Sequence, residues 1–153
     1  YVILENIRSL YNVGSAFRTS DGCNIRRLFL TGFSGYPPRK EITKTAIGAE
    51  ENIDWEHFKT TAEAIEKLRQ EVPGIQIIAV EQTKNSVLYT DFKCNFPVAL
   101  IFGNEIMGVS QEAIKASDAV LHIPMLGGKE SLNVATAYGI VLYEVLRQFN
   151  LHG

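Results

Sequence analysis

Residues Val98-Ala99-Leu100-Ile101-Phe102 run without a polar side chain into Gly103-Asn104-Glu105-Ile106-Met107-Gly108. Such an apolar run, closed by a glycine-bounded polar loop, reads as a strand buried on both faces within a parallel sheet. Two other stretches share the form. Residues 76–80 lead into Glu81-Gln82-Thr83-Lys84-Asn85, and residues 119–123 lead into Pro124-Met125-Leu126-Gly127-Gly128-Lys129-Glu130-Ser131-Leu132-Asn133. In parallel α/β sheets ligands bind outside the carboxyl ends of the strands. The three loops therefore outline a small-molecule pocket, with glycines that let main-chain groups approach a flat ligand. No G-x-G-x-x-G follows a strand and no Walker sequence occurs, so the usual phosphate cradles are absent.

Outward from this region, strand-type and helix-type segments alternate, which gives the α/β class. Residues 1–4 form a strand already inside the fold. Asn12 is placed to cap a helix with apolar positions Val13, Ala16 and Phe17, and Gly22 suits its C′ position. A strand over 27–31 completes a βαβ unit, which joins parallel strands. A rigid, basic loop (Gly35-Tyr36-Pro37-Pro38-Arg39-Lys40) follows, then a helical turn over 43–47 and a short segment over 53–58 with Trp55 expected to be buried. Thr60-x-x-Glu63 is a capping box for a helix that Pro73-Gly74 stops. A short helix is expected over 111–116 and a long one over 133–149, with Val134, Tyr138, Val141, Val145 and Phe149 on one face.

The chain has 153 residues, 46% of them hydrophobic, enough for one domain with its own core. Residues 1–153 are read as that single domain, with no separate N-terminal RNA-binding domain in the chain. Cys23 and Cys94 show no paired spacing and read as small buried residues of a reducing compartment. His57, His122 and His152 have no ligand spacing, so no metal is expected. No apolar run reaches the roughly 20 residues that cross a bilayer. No signal-peptide pattern opens the sequence, and a cytoplasmic address follows by default. Net charge is −2, yet residues 1–45 carry seven basic against three acidic side chains. That polarity puts a phosphate-facing end on the first third of the chain.

Three motifs carry a resemblance. Asn12-x-Gly14-x-x-x-Arg18-Thr19, then Leu100 to Ser110 (LIFGNEIMGVS), then Ile123-Pro124-Met125 followed by Glu130-Ser131-Leu132-Asn133-Val134-Ala135, resemble in order and spacing the three motifs of the SpoU/TrmH class of SPOUT RNA methyltransferases. The resemblance spans essentially the whole chain. It implies a parallel sheet flanked by helices on both faces, with a deep trefoil knot at the C-terminal end. It further implies S-adenosylmethionine (SAM) as cofactor and methyl transfer to a ribose 2′-hydroxyl of tRNA or rRNA. Cofactor contacts are then expected at Glu81 and Gln82 (largely main chain), Gly103, Ile123, Met125, Ser131 and Leu132.

On the same grounds the catalytic arginine falls on Arg18. An arginine is a poor base, so holding a phosphate and steadying the developing alkoxide is its physically safer role, with the role of base left open. Asn12, Glu105, Ser131 and Asn133 join it as catalytic-site positions, although Asn12, Glu105 and Asn133 also suit plain capping roles. RNA contacts are expected from Arg8, Arg18, Arg26, Arg27, Arg39, Lys40 and Lys44. The class further implies a homodimer, with Arg18 beside SAM on the other subunit. Val141, Leu142, Val145, Leu146 and Phe149 read as more apolar surface than one core stripe needs. Two alternatives remain from the residues: a non-enzymatic RNA-binding protein of the same fold, which loss of Arg18, Asn133 or the glycines would mark, and a doubly wound oxidoreductase, whose early glycine fingerprint is missing.

Overall fold

A computed structural model describes residues 1–152. Seven strands, β1 (Val2–Glu5), β2 (Leu28–Thr31), β3 (Trp55–Phe58), β4 (Gln76–Val80), β5 (Val87–Leu88), β6 (Val98–Phe102) and β7 (Ala119–His122), form one sheet in the order β3-β2-β1-β6-β4-β7-β5. Every pairing is parallel. The helices are α1 (Leu10–Cys23), α2 (Lys40–Ala46), α3 (Thr61–Glu71), α4 (Gln111–Ala116) and α5 (Val134–His152).

Strand alternation sorts the core into two layers. Val2, Leu4, Leu28, Leu30, Ile78, Leu100 and Phe102 face the side covered by α1, α2 and α5. Ile3, Phe29, Ile77, Ala79, Ala99 and Ile101 face the side covered by α3 and α4. Both faces are buried because helices lie on both, which is why β6 is apolar throughout and β1, β2 and β4 are polar only at an end. The parallel sheet with helices on either face agrees with the sequence reading.

Local capping departs from it at α1. Ser9, not Asn12, is the N-cap: its hydroxyl accepts the Asn12 N–H at 3.2 Å, so the helix starts earlier than the motif suggested. The helix ends at Asn24 in the left-handed region (φ 52°), not at Gly22. Gly22 stays helical, and it lies under the hydroxyl of Tyr143, 2.8 Å from where a Cβ would stand. Gly14 is needed for a different reason. A Cβ there would strike the Ile42 carbonyl and the Thr45 hydroxyl, so its absence lets α2 pack directly on α1.

Thr60 caps α3 as expected, accepting the Glu63 N–H. The two-residue β5 was not foreseen, and α2 starts at Lys40, earlier than the turn over 43–47. Trp55 is half-buried, not buried, because it lies on edge strand β3 and meets Tyr36 of a surface loop. Cys23 is buried and Cys94 half-buried. Val141, Leu142 and Val145 are buried against this chain's own core, so they leave no spare apolar face. Of the expected residues Phe149 is exposed, and Tyr143 and Leu151 join it.

Candidate active site

Strands β1, β2 and β3 extend the sheet one way, and β6, β4 and β7 the other, so the order reverses between β1 and β6. Such a switch point opens a crevice at the carboxyl ends of the strands. Beside that point, at the same end of the sheet, the loops after β4, β6 and β7, with the first turn of α5, enclose a pocket of about 590 Å³. All seven positions expected to meet a cofactor line it: Glu81, Gln82, Gly103, Ile123, Met125, Ser131 and Leu132. Its floor is apolar, from Val80, Phe102, Val134 and Ala137. Its charged residues are Glu81, Glu105, Lys129 and Glu130.

The loop after β6 is built by close approach. A Cβ at Gly103 would collide with the Gly108 carbonyl and the Val109 amide, and a Cβ at Gly108 with the Glu81 carboxyl. Gly108 also has φ +71°, a conformation L side chains rarely adopt. Asn104 and Gly108 exchange main-chain hydrogen bonds at 3.1 and 2.9 Å. The Asn104 side chain accepts from the Ile106 and Met107 amides and donates to the Asn6 carbonyl at 2.7 Å. Buried and hydrogen-bonded through both its oxygen and its nitrogen, Asn104 stitches the pocket to the segment after β1. Sequence reasoning gave Asn104 no role, although it lies in the same motif; a polar side chain directly after a buried strand was the available signal.

Glu105 lines the pocket and reaches the other way too. Its carboxylate accepts from the Arg8 and Ser9 amides, both at 2.9 Å, and from the Asn12 side-chain amide at 3.0 Å. Burial works against its ionisation, but these donors outweigh it and hold the carboxyl below the ordinary glutamate range. Already saturated with donors, Glu105 clamps the start of α1 to the pocket and is not free to act as a base. Asn12 is the far end of that clamp and does not line the pocket. Glu81, by contrast, is pushed upward by burial.

The remaining predicted positions separate. Asn133 sits beyond the pocket and caps α5, accepting from the Ala135 and Thr136 amides. Ser131 is exposed at the mouth. Arg18 is exposed on α1, outside the pocket lining, and makes no ion pair among the described residues. Arg8, Arg39, Lys40 and Lys44 are exposed on segments that follow β1 and β2 at the pocket end. Arg26 and Arg27 precede β2 and so lie at the opposite end of the sheet. Arg27 is engaged there with Glu71 at 3.2 Å and Glu56 at 3.9 Å. No group of three or more potential metal ligands occurs among the described residues.

The profile of the SpoU rRNA Methylase family matches residues 1–143. The chain belongs to this family. A similar protein is the tRNA (guanosine(18)-2′-O)-methyltransferase of Aquifex aeolicus, 31% identical over 96% of this chain and 68% of its own length. Two solved SpoU-type structures superpose closely. AviRb from Streptomyces viridochromogenes in complex with AdoMet has a TM-score of 0.89 at 25% identity, covering 99% of this chain and 60% of its own. An AdoMet-bound rRNA methyltransferase from Sinorhizobium meliloti has a TM-score of 0.87 at 31% identity, covering 96% and 55%. The chain thus spans between about half and two thirds of the length of these SpoU-family relatives.

Proposed function

We propose that this SpoU-family chain is a methyltransferase domain that transfers a methyl group from SAM to a ribose 2′-hydroxyl of tRNA or rRNA. The observation that carries the reading is the pocket, in which all seven expected cofactor positions converge. Its chemistry fits the group. The volume suits a nucleoside-sized ligand, the floor offers apolar surface for an adenine, and Glu81 and Glu105 give a negative setting suited to sulfonium and ammonium charges. The AdoMet-bound relatives support the same assignment.

SAM supplies an electrophilic methyl on a sulfonium. The chain supplies position and charge. Gly103 and Gly108 bring main chain to the pocket wall, while Ile123, Met125 and Leu132 provide apolar contact. Arg18 is the catalytic cation: it grips the phosphate next to the target ribose and stabilises the oxygen as the hydroxyl proton leaves to that phosphate or to water. Such orientation is worth roughly 7–11 kcal/mol of barrier. Asn12 and Glu105 position the helix that carries Arg18; Ser131 and Asn133 shape the pocket's mouth and the start of α5.

Because Arg18 lies outside the pocket of its own chain, we read the active unit as a homodimer in which Arg18 serves SAM on the other subunit. Exposed Tyr11 of α1 and exposed Tyr143, Phe149 and Leu151 of α5 leave apolar surface on the two helices for such an interface. A trefoil knot in the C-terminal segment and a cytoplasmic address belong to the same proposal; no described helix is long and apolar enough to cross a membrane. The test is tritiated-methyl transfer from SAM to bulk tRNA and rRNA, followed by digestion to nucleosides. Label in 2′-O-methylnucleosides is expected, and Arg18→Ala should bind SAM normally while losing most transfer. Label on bases, or full transfer by Arg18→Ala, contradicts the reading.

A further inference from the structure

Two large rings stand in solvent on a loop that is not free to hide them. After β2, Gly32 turns the chain with φ +64°, and Phe33 and Tyr36 follow with 62% and 45% of their surface exposed. The loop is anchored from beneath. The Phe33 amide donates to the Asn6 side chain at 3.1 Å, and the Ser34 hydroxyl accepts the Ile7 amide at 2.8 Å while donating to the Leu4 carbonyl at 3.0 Å. The Asn6 carbonyl in turn accepts from Asn104, whose loop forms the cofactor pocket. One continuous set of hydrogen bonds, through Asn6, therefore links the pocket loop to the main chain of Phe33. Tyr36 is braced differently, its ring 4.5 Å from that of His57, which bonds the Gly32 carbonyl at 3.0 Å.

The segment that carries these rings is cationic. No acidic residue occurs from Gly32 to Lys40, and Glu41 is held by Arg39 at 3.6 Å. Lys40 and Lys44 are exposed on α2, and Arg8 is exposed where Glu105 holds its amide. Exposed aromatics on an anchored main chain, among Lys and Arg, are the arrangement that stacks unpaired bases while the cations follow the phosphates. The distance suits the target. β2 and β6 are two strand spacings apart, about 10 Å, so the platform lies within a few nucleotides of a ribose presented to the pocket.

We propose that Phe33, with Tyr36 beside it, is a stacking platform for an unpaired nucleobase of the RNA substrate, flanking the ribose that is methylated. This rests on the proposed RNA methyltransferase activity. It makes the loop after β2 a determinant of which RNA conformation is accepted: single-stranded or flipped-out, not continuous duplex.

The experiment uses the whole chain, with bulk tRNA, a labelled single-stranded RNA dodecamer and the same dodecamer as a duplex. Phe33→Ala should weaken single-strand binding about tenfold or more and raise KM for tRNA. Its SAM affinity and melting temperature should match the wild type. Phe33→Tyr should restore binding, and Phe33→Leu, which keeps the apolar bulk without the π-face, should not. Single-strand affinity of Phe33→Ala within twofold of wild type overturns the platform, as does equal loss for both dodecamers or full rescue by leucine. Wild type that binds RNA in a Phe33-dependent way yet transfers no methyl overturns the proposed activity and leaves the platform standing.

Discussion

The loops after β6 and β7 border one pocket and are built in opposite ways. In the first, Gly103 and Gly108 are each pressed so closely that a single added carbon would collide, and Asn104 engages three main-chain groups. In the second, a Cβ on Gly127 or Gly128 would meet nothing within 4 Å. No hydrogen bond among the described residues ties down 124–132, and Leu126 is 96% exposed. The first loop takes its shape from the protein. The second has no partner within the chain, and in this account the cofactor is the partner that orders it.

The largest contrast is expected from the glycines. Gly103→Val should abolish SAM binding and cost about 1–3 kcal/mol of stability through overpacking, whereas Gly128→Ala should stay within about 0.5 kcal/mol. Urea denaturation with calorimetric SAM titration measures both. Equal costs would dissolve the distinction between the loops. Next, Asn104→Ala strands the Asn6 carbonyl and two loop amides and should cost about 2 kcal/mol. Ser131→Ala, at the open mouth, should leave the denaturation midpoint unchanged and lower only SAM affinity.

A smaller effect sharpens the role of Glu105. Its folded carboxyl sits below its unfolded value, so its clamp on α1 contributes stability at neutral pH and loses it as pH falls through the folded value. Melting temperature against pH should therefore decline more steeply below the ordinary glutamate range in wild type than in Glu105→Gln. Parallel curves would mean that the clamp carries no stability.

The same contrast explains what the sequence made legible. The sheet was readable because alternate residues of β1, β2, β4 and β6 all face apolar layers, a pattern that apolar runs record directly. Loop glycines marked the pocket because Gly103 and Gly108 answer to steric limits as strict as those of the core. Capping was less legible. Ser9 and Asn12 both carry suitable oxygens or amides near the start of α1, and only the position of Glu105, 96 residues beyond Ser9, decides between them. Ion pairing was equally hidden: the sequence marks Arg27 as a basic residue, but not that Glu56 and Glu71 are its neighbours in space. The apolar residues of α5 were hard to sort for a related reason, since Val141, Leu142 and Val145 serve a core that α1 shares while Phe149 stays exposed.

Hydrogen exchange across the pocket, with and without saturating S-adenosylhomocysteine, reads whether the cofactor orders the loop after β7. Residues 124–132 should exchange quickly in the free protein and become strongly protected on binding, while 103–108 should be protected in both states. Unchanged exchange over 124–132 under demonstrated saturation, or protection confined to another part of the molecule, would contradict that ordering.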